Sequence, residues 1–186
     1  MVVAGCNKGA NLGAYVLGRS GTVSAAVEAA FFDVPAIAVS LYVPATADST
    51  ADDWRDAAAD VDDYRNATAA TSYLVEHALG AGVFEQAEYL NVNAPIADED
   101  RAPLRVTTPS TWYGLRAERN GDGRVGFSDP IWGLMNDDDV PDPVGTDRRA
   151  VVDGEGSVSP LSVPHAAEPE AGLDELAEAY EATVRS

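Results

Sequence analysis

Asn7, Asn11, Ser20, Gly21 and Thr22 are the residues whose types and spacing best suit chemistry on an anion. Ser20-Gly21-Thr22 opens an apolar-periodic segment. A helix start there presents unpaired N–H groups and the positive end of the helix dipole, two hydroxyls add donors, and Gly21 lets an anion approach the backbone. Taken alone, the tripeptide reads equally as a phosphate cradle or as an ordinary serine N-cap. Asn7 follows a short apolar strand, where its amide oxygen suits a hard cation such as magnesium or manganese. One neutral ligand does not hold such an ion, and residues 1–22 contain no carboxylate, so the acids must come from elsewhere. Asn7 and Asn11 also suit the plainer role of stabilising loop turns. No dinucleotide-type glycine pattern and no Gly-Lys-Ser or Gly-Lys-Thr occurs.

The elements that must position these residues are legible around them. Met1 to Ala4 read as a buried strand, Gly5 to Arg19 as a glycine- and asparagine-rich loop, and Ser20 as an N-cap. Val23, Ala26, Val27, Ala30 and Phe31 then share a helical face ending near Asp33, and Ala36 to Leu41 form the continuous apolar run of a parallel strand. This is a βαβ unit, and its ligand crevice lies at the carboxyl ends of the strands.

Further along, a long helix is expected from near Asp52 to Gly80, with Trp54, Val61, Tyr64, Thr68, Thr71 and Val75 on one face and His77 favouring the helix end. Tyr89–Ala94 and Leu104–Thr107 read as strands. The irregular segment after them carries Trp112, Tyr113, Phe127 and Trp132, expected in core or interface. Glu118 to Asp129 has calcium-loop spacing, but Asn120-Gly121-Asp122-Gly123 better suits a hairpin turn. Asp137, Asp138, Asp139 and Asp142 mark an exposed loop, Val151–Val163 resumes β-like patterning, and Leu173 to Val184 forms a final amphipathic helix.

Composition bounds the function. With 31 acidic against 12 basic residues, the net charge is -19 and the pI about 4.1. Nucleic acid and acidic lipid are repelled, and the dispersed carboxylates suit a cytoplasm rich in potassium salt. Cys6 is the sole cysteine, so no internal disulfide forms. No stretch approaches the roughly 18 apolar residues of a membrane helix, and the expected location is cytoplasmic.

Val2–Gly13 (VVAGCNKGANLG), Ser20–Glu28 (SGTVSAAVE), Val34–Leu41 (VPAIAVSL), Leu90–Pro95 (LNVNAP), Gly145-Thr146-Asp147 and Gly156–Leu161 (GSVSPL) together resemble the SurE survival proteins. These are metal-dependent phosphatases of nucleoside monophosphates. The resemblance implies an α/β, three-layer Rossmann-like fold with a mostly parallel sheet, a C-terminal β-hairpin extension and a terminal helix. Residues 1–186 would be one domain, with 110–163 an irregular hairpin extension for oligomerisation, giving a homodimer or homotetramer. Asn7 corresponds to the family's metal-binding asparagine, with magnesium or manganese as the cofactor. Ser20, Gly21 and Thr22 correspond to its phosphate-binding helix start, and Asn11 joins them as a phosphate-binding candidate.

The family's paired aspartates and a later serine belong to a preceding nucleotide-binding half, so the chain reads as N-terminally truncated and its catalytic residues stay unassigned. Arg19 stands where the family commonly has an aromatic residue and Ala14 where it often has an acid. Alone, the chain is expected to be inactive. The alternatives are a non-catalytic anion-binding or oligomerisation module, or a gene whose remaining half lies upstream. Missing neighbours would leave Val2 and Val3 on an exposed sheet edge.

Overall fold

The structure is a computed structural model that describes residues 1–44, 57–58, 60–96, 101–119, 121, 123–136 and 138–163. Its centre is a five-stranded sheet of order β1-β2-β3-β7-β4. The strands are β1 (Val2–Lys8), β2 (Ala36–Tyr42), β3 (Tyr89–Pro95), β4 (Leu104–Val106) and β7 (Gly156–Leu161). β1, β2 and β3 run parallel, whereas β7 lies antiparallel to β3 and parallel to β4. The separate pair β5 (Arg116–Arg119) and β6 (Val125–Ser128) is an antiparallel hairpin.

Helices cover both faces, which makes three layers. On one face, α2 (Gly21–Phe31) sets Val23, Ala26, Ala29 and Ala30 against Ala36, Ala38 and Tyr89. On the other, α3 (Arg65–His77) brings Ala67, Ala70 and Leu74 onto Ile37, Val39, Leu90 and Val92. Residues 36 and 38 face one helix while 37 and 39 face the other, as the two-residue period of a strand demands. β2 is buried on both faces along its whole length, which is why its sequence is so nearly continuously apolar.

The βαβ order matches the sequence expectation, but β1 runs on to Lys8 and is largely exposed, where a buried strand ending at Ala4 is expected. A short helix (Ala14–Leu17) interrupts the expected Gly5–Arg19 loop, and α2 shows one change. Phe31 is exposed and Ala29 takes its place in the core, because a small residue lets the helix lie close to the alanines of β2. The face expected of the second long helix is wrong: Val61 and Val75 are exposed, and the buried stripe is Ala67, Ala70 and Leu74. β-branched residues suggested the core, but alanines at helical spacing allow the closest approach to the sheet. A short 3-10 turn at Val61–Tyr64 precedes α3, while Asp52 and Trp54 lie outside the described residues.

Three further expectations change. Val151 and Val152 end a helix, α5 (Asp147–Val152), rather than starting a strand. Asp142 is buried, not part of an exposed loop. Gly156–Leu161 is an inner strand of the main sheet, so the piece that projects is the β5–β6 hairpin at 116–128. That hairpin flanks the calcium-like stretch with strands where a helix–loop–helix site needs helices. Leu173 to Val184 lie outside the described residues. Val2 and Val3, on the edge strand, are 37% and 45% exposed.

Candidate functional site

The site is built where β1 runs out. β1 and α2 belong to one parallel βαβ unit, so the end of β1 and the start of α2 share the carboxyl-terminal rim of the sheet. Asn7 stands at the end of β1, half-buried, and its Nδ2 donates to the Gly9 carbonyl at 2.7 Å. That bond uses the amide nitrogen and fixes the side chain across the turn; a cation would take the oxygen. Ser20 caps α2, its Oγ accepting from the Val23 N–H at 3.1 Å. The hydroxyl proton is still a donor in that arrangement. Gly21 is exposed, and an added Cβ there would meet nothing within 4 Å. An anion would therefore have open access to the first turn of this helix.

The loop joining these two ends crosses a polar face of the sheet. Ser40, Asn91, Asn93, Ser157 and Ser159 are each fully buried. In register, Ser40 stands beside Asn93, Asn93 beside Ser157 and Asn91 beside Ser159. Asn91 and Asn93 meet the irregular backbone of the loop, which has no ladder to satisfy it, while Ser40 meets the Asn11 side chain and Ser159 pairs with Thr107 at 2.9 Å. The Asn11 N–H donates to Asn93 Oδ1 at 2.7 Å, and the Asn11 carbonyl accepts from Asn91 Nδ2 at 2.9 Å and Asn93 Nδ2 at 3.2 Å. Asn11 Nδ2 donates to Ser40 Oγ at 2.6 Å. Asn11 is thus a buried linchpin of the loop, its side chain directed into the sheet.

The far end of the loop is tied to α5. Asp147, with no exposed surface, accepts from the Gly13 N–H at 2.7 Å, the Ser110 N–H at 2.9 Å and the Arg148 N–H at 2.8 Å. Gly13 adopts φ 79° against Ser110 and Arg148, a backbone that a side chain would strain. Burial pushes the Asp147 carboxyl above the usual carboxylate range, while the three N–H donors and Arg148 pull it back. Beside it, the Arg148 guanidinium pairs with Asp142 at 3.2 Å and donates to Ser110 Oγ and the Trp112 carbonyl. Desolvation raises the Asp142 carboxyl and lowers the Arg148 guanidinium, and the ion pair opposes both shifts.

The sequence singles out Asn11 as a site candidate, whereas Asn91, Asn93 and Asp147 stand in segments that carry the resemblance but receive no role from it. The signal was available: asparagines alternating with Leu90, Val92 and Ala94 mark a sheet face that carries polar groups. Asp147 gave no comparable signal, because its importance comes from contact with Gly13 across most of the sequence.

The described residues do not complete a divalent-cation site. Asn7 brings one neutral oxygen, and among the described residues no group of three or more His, Cys, Asp or Glu could hold a metal. His77 lies in the last turn of α3, its ring centroid 4.5 Å from that of Tyr73. Trp112, Tyr113 and Trp132 are 37%, 60% and 39% exposed, so of the core or interface expected for them the core is excluded.

The family model "Survival protein SurE" matches residues 1–114. The "5'-nucleotidase SurE" of Haloarcula marismortui is 60% identical over 181 residues, covering 97% of this chain and 66% of that protein. Its counterpart from Haloquadratum walsbyi is 57% identical over 180 residues, covering 97% and 67%. The chain thus spans about two thirds of the length of these relatives. The crystal structure of the SurE protein from Aquifex aeolicus superposes with a TM-score of 0.65 at 23% identity, over 95% of this chain and 65% of that one, a likeness of fold. With a family model over more than half of its length and relatives at this identity, the chain belongs to the SurE family.

Proposed function

We propose that the chain carries the phosphate-handling part of a metal-dependent nucleotidase, a phosphatase acting on nucleoside monophosphates. The observation that supports this reading most is the shared rim: Asn7 at the end of one parallel strand and the open start of α2 at the next element. In the proposed roles, Gly21 and Thr22 present N–H and hydroxyl groups to the phosphoryl oxygens, and Ser20 adds its hydroxyl proton while capping the helix. Asn11 acts behind them, holding the loop that separates the two ends.

Magnesium or manganese is the proposed cofactor, which when bound polarises the phosphoryl group. Asn7 would give it one oxygen, and the carboxylates it also needs come from outside the described residues. The relatives' printed name, 5'-nucleotidase, supports the substrate class. The β5–β6 hairpin supports a homodimer or homotetramer, since an isolated two-stranded ribbon with Phe127 71% exposed lacks a core of its own. The same shortage of carboxylates favours a second reading, a non-catalytic anion-binding module on this fold.

The test is hydrolysis of a nucleoside monophosphate with manganese in molar potassium chloride, comparing the chain with Asn7→Ala. Manganese-dependent turnover that falls at least tenfold in the variant supports the assignment; turnover indifferent to the substitution overturns it. Phosphate binding at the α2 start that is indifferent both to manganese and to Asn7→Ala selects the binding module.

A further inference from the structure

We propose that the aromatic cleft beside α1 (Ala14–Leu17) is a binding site for the planar heterocyclic base of a nucleoside. The cleft, of about 200 Å³, is lined by Tyr15, Trp112, Tyr113, Trp132, Asp129 and Arg148, among others. This inference rests on the nucleotidase reading and names the part of the substrate that reading leaves unplaced.

Three observations lead to it. First, large aromatic surface is left in contact with water: Trp112, Tyr113 and Trp132 are all more than a third exposed around one concavity. Rings gathered round a cleft offer stacking faces that an aliphatic ligand would not use. Second, the cleft is joined to the phosphate cradle by a continuous stack. Tyr113 stacks on Tyr15 with centroids 5.7 Å apart, and Arg19, the residue before Ser20, lies 3.8 Å over the Tyr15 ring. Arg19 also donates to the Tyr15 carbonyl at 3.2 Å, so this short turn is fixed. One helical turn therefore separates a surface suited to a base from a helix start suited to its phosphate. Third, the cleft has polar groups able to orient a flat ring. Arg148, 3% exposed, lines it and keeps a buried Nε with no hydrogen-bond partner among the described residues. Asp129 lines it too, one oxygen accepting the Ile131 N–H at 3.1 Å. A base edge offers an acceptor to the first and an amino donor to the second.

The experiment is calorimetric titration of the full chain in molar potassium chloride with adenosine and, separately, with inorganic phosphate. Adenosine should bind saturably, and Tyr113→Ala should weaken it about tenfold, the size expected of one lost stacking contact. Trp132→Leu should weaken adenosine comparably, and serves as the second variant if the first fails to fold by circular dichroism. Phe127→Ala, at a residue that does not line the cleft, should leave adenosine affinity unchanged. Equal adenosine affinity in wild type and both cleft variants, or no binding at millimolar adenosine, overturns the proposal. So does a cleft filled by a second copy, seen as self-association that Tyr113→Ala alters while adenosine affinity stays put. The phosphate arm separates the two claims: phosphate binding without adenosine binding defeats the cleft alone, whereas Tyr113-dependent adenosine binding without phosphate binding defeats the nucleotidase reading alone.

Discussion

At the scale of single residues, Asp147 does the most to shape the rim. One buried carboxylate satisfies three backbone N–H groups from three separate segments, and each of these is a charge-assisted bond in a place water does not reach. Asp147→Asn replaces one accepting oxygen by a donor facing another donor. The expected cost is about 3 kcal/mol, read as a shift of the urea midpoint. Ser20→Ala is a milder lesion, because only the cap on Val23 is lost; about 1 kcal/mol of stability should go. Phosphate affinity should fall with it by several-fold, measured by calorimetry, since the hydroxyl proton is lost together with the cap. Of these two residues, only Ser20 was legible in the sequence. A serine ahead of a helical period declares itself locally, whereas a carboxylate that bonds a glycine far away in the chain does so only once folded.

At the scale of elements, periodicity located most segments and misjudged which side of one of them is buried. β2 read as a fully buried parallel strand because both of its faces carry helices, and α2 read correctly apart from Phe31 because its cap and the rest of its stripe agree. In α3 the valines drew attention away from Ala67, which has no exposed surface and sits directly on the sheet. Ala67→Leu should therefore destabilise by about 2 kcal/mol through overpacking. Val61→Ser, at 84% exposure, should stay within about 0.5 kcal/mol. Thermal melts of the two variants side by side decide between the stripes. The alternation of Asn91 and Asn93 with apolar residues was equally visible, but its meaning depended on a loop crossing that face, which no local pattern discloses.

At the scale of the whole molecule, a net charge of -19 on 186 residues makes self-repulsion a standing cost of the compact state. Screening shortens the reach of that repulsion from about 30 Å at 0.01 M salt to about 3 Å at 1 M. The melting temperature should therefore climb by at least several degrees between 0.05 M and 1 M potassium chloride, most steeply at the low end. A flat response would place the carboxylates in compensated pairs instead. On the described surface such pairs include Arg105 with Glu155, and Arg149 with Asp138 and Asp153.

The central claim is that Asn7 and the start of α2 face one anion and one cation together. Manganese is paramagnetic, so nuclear magnetic resonance of the nitrogen-15 labelled chain with phosphate present reads the geometry directly. Substoichiometric manganese should broaden the Asn7 side-chain amide and the backbone amides of Gly21 and Thr22 in the same titration, before any other signals. Broadening confined to the acidic loop around Asp138 and Asp139, with Asn7 and Gly21 untouched, would contradict it.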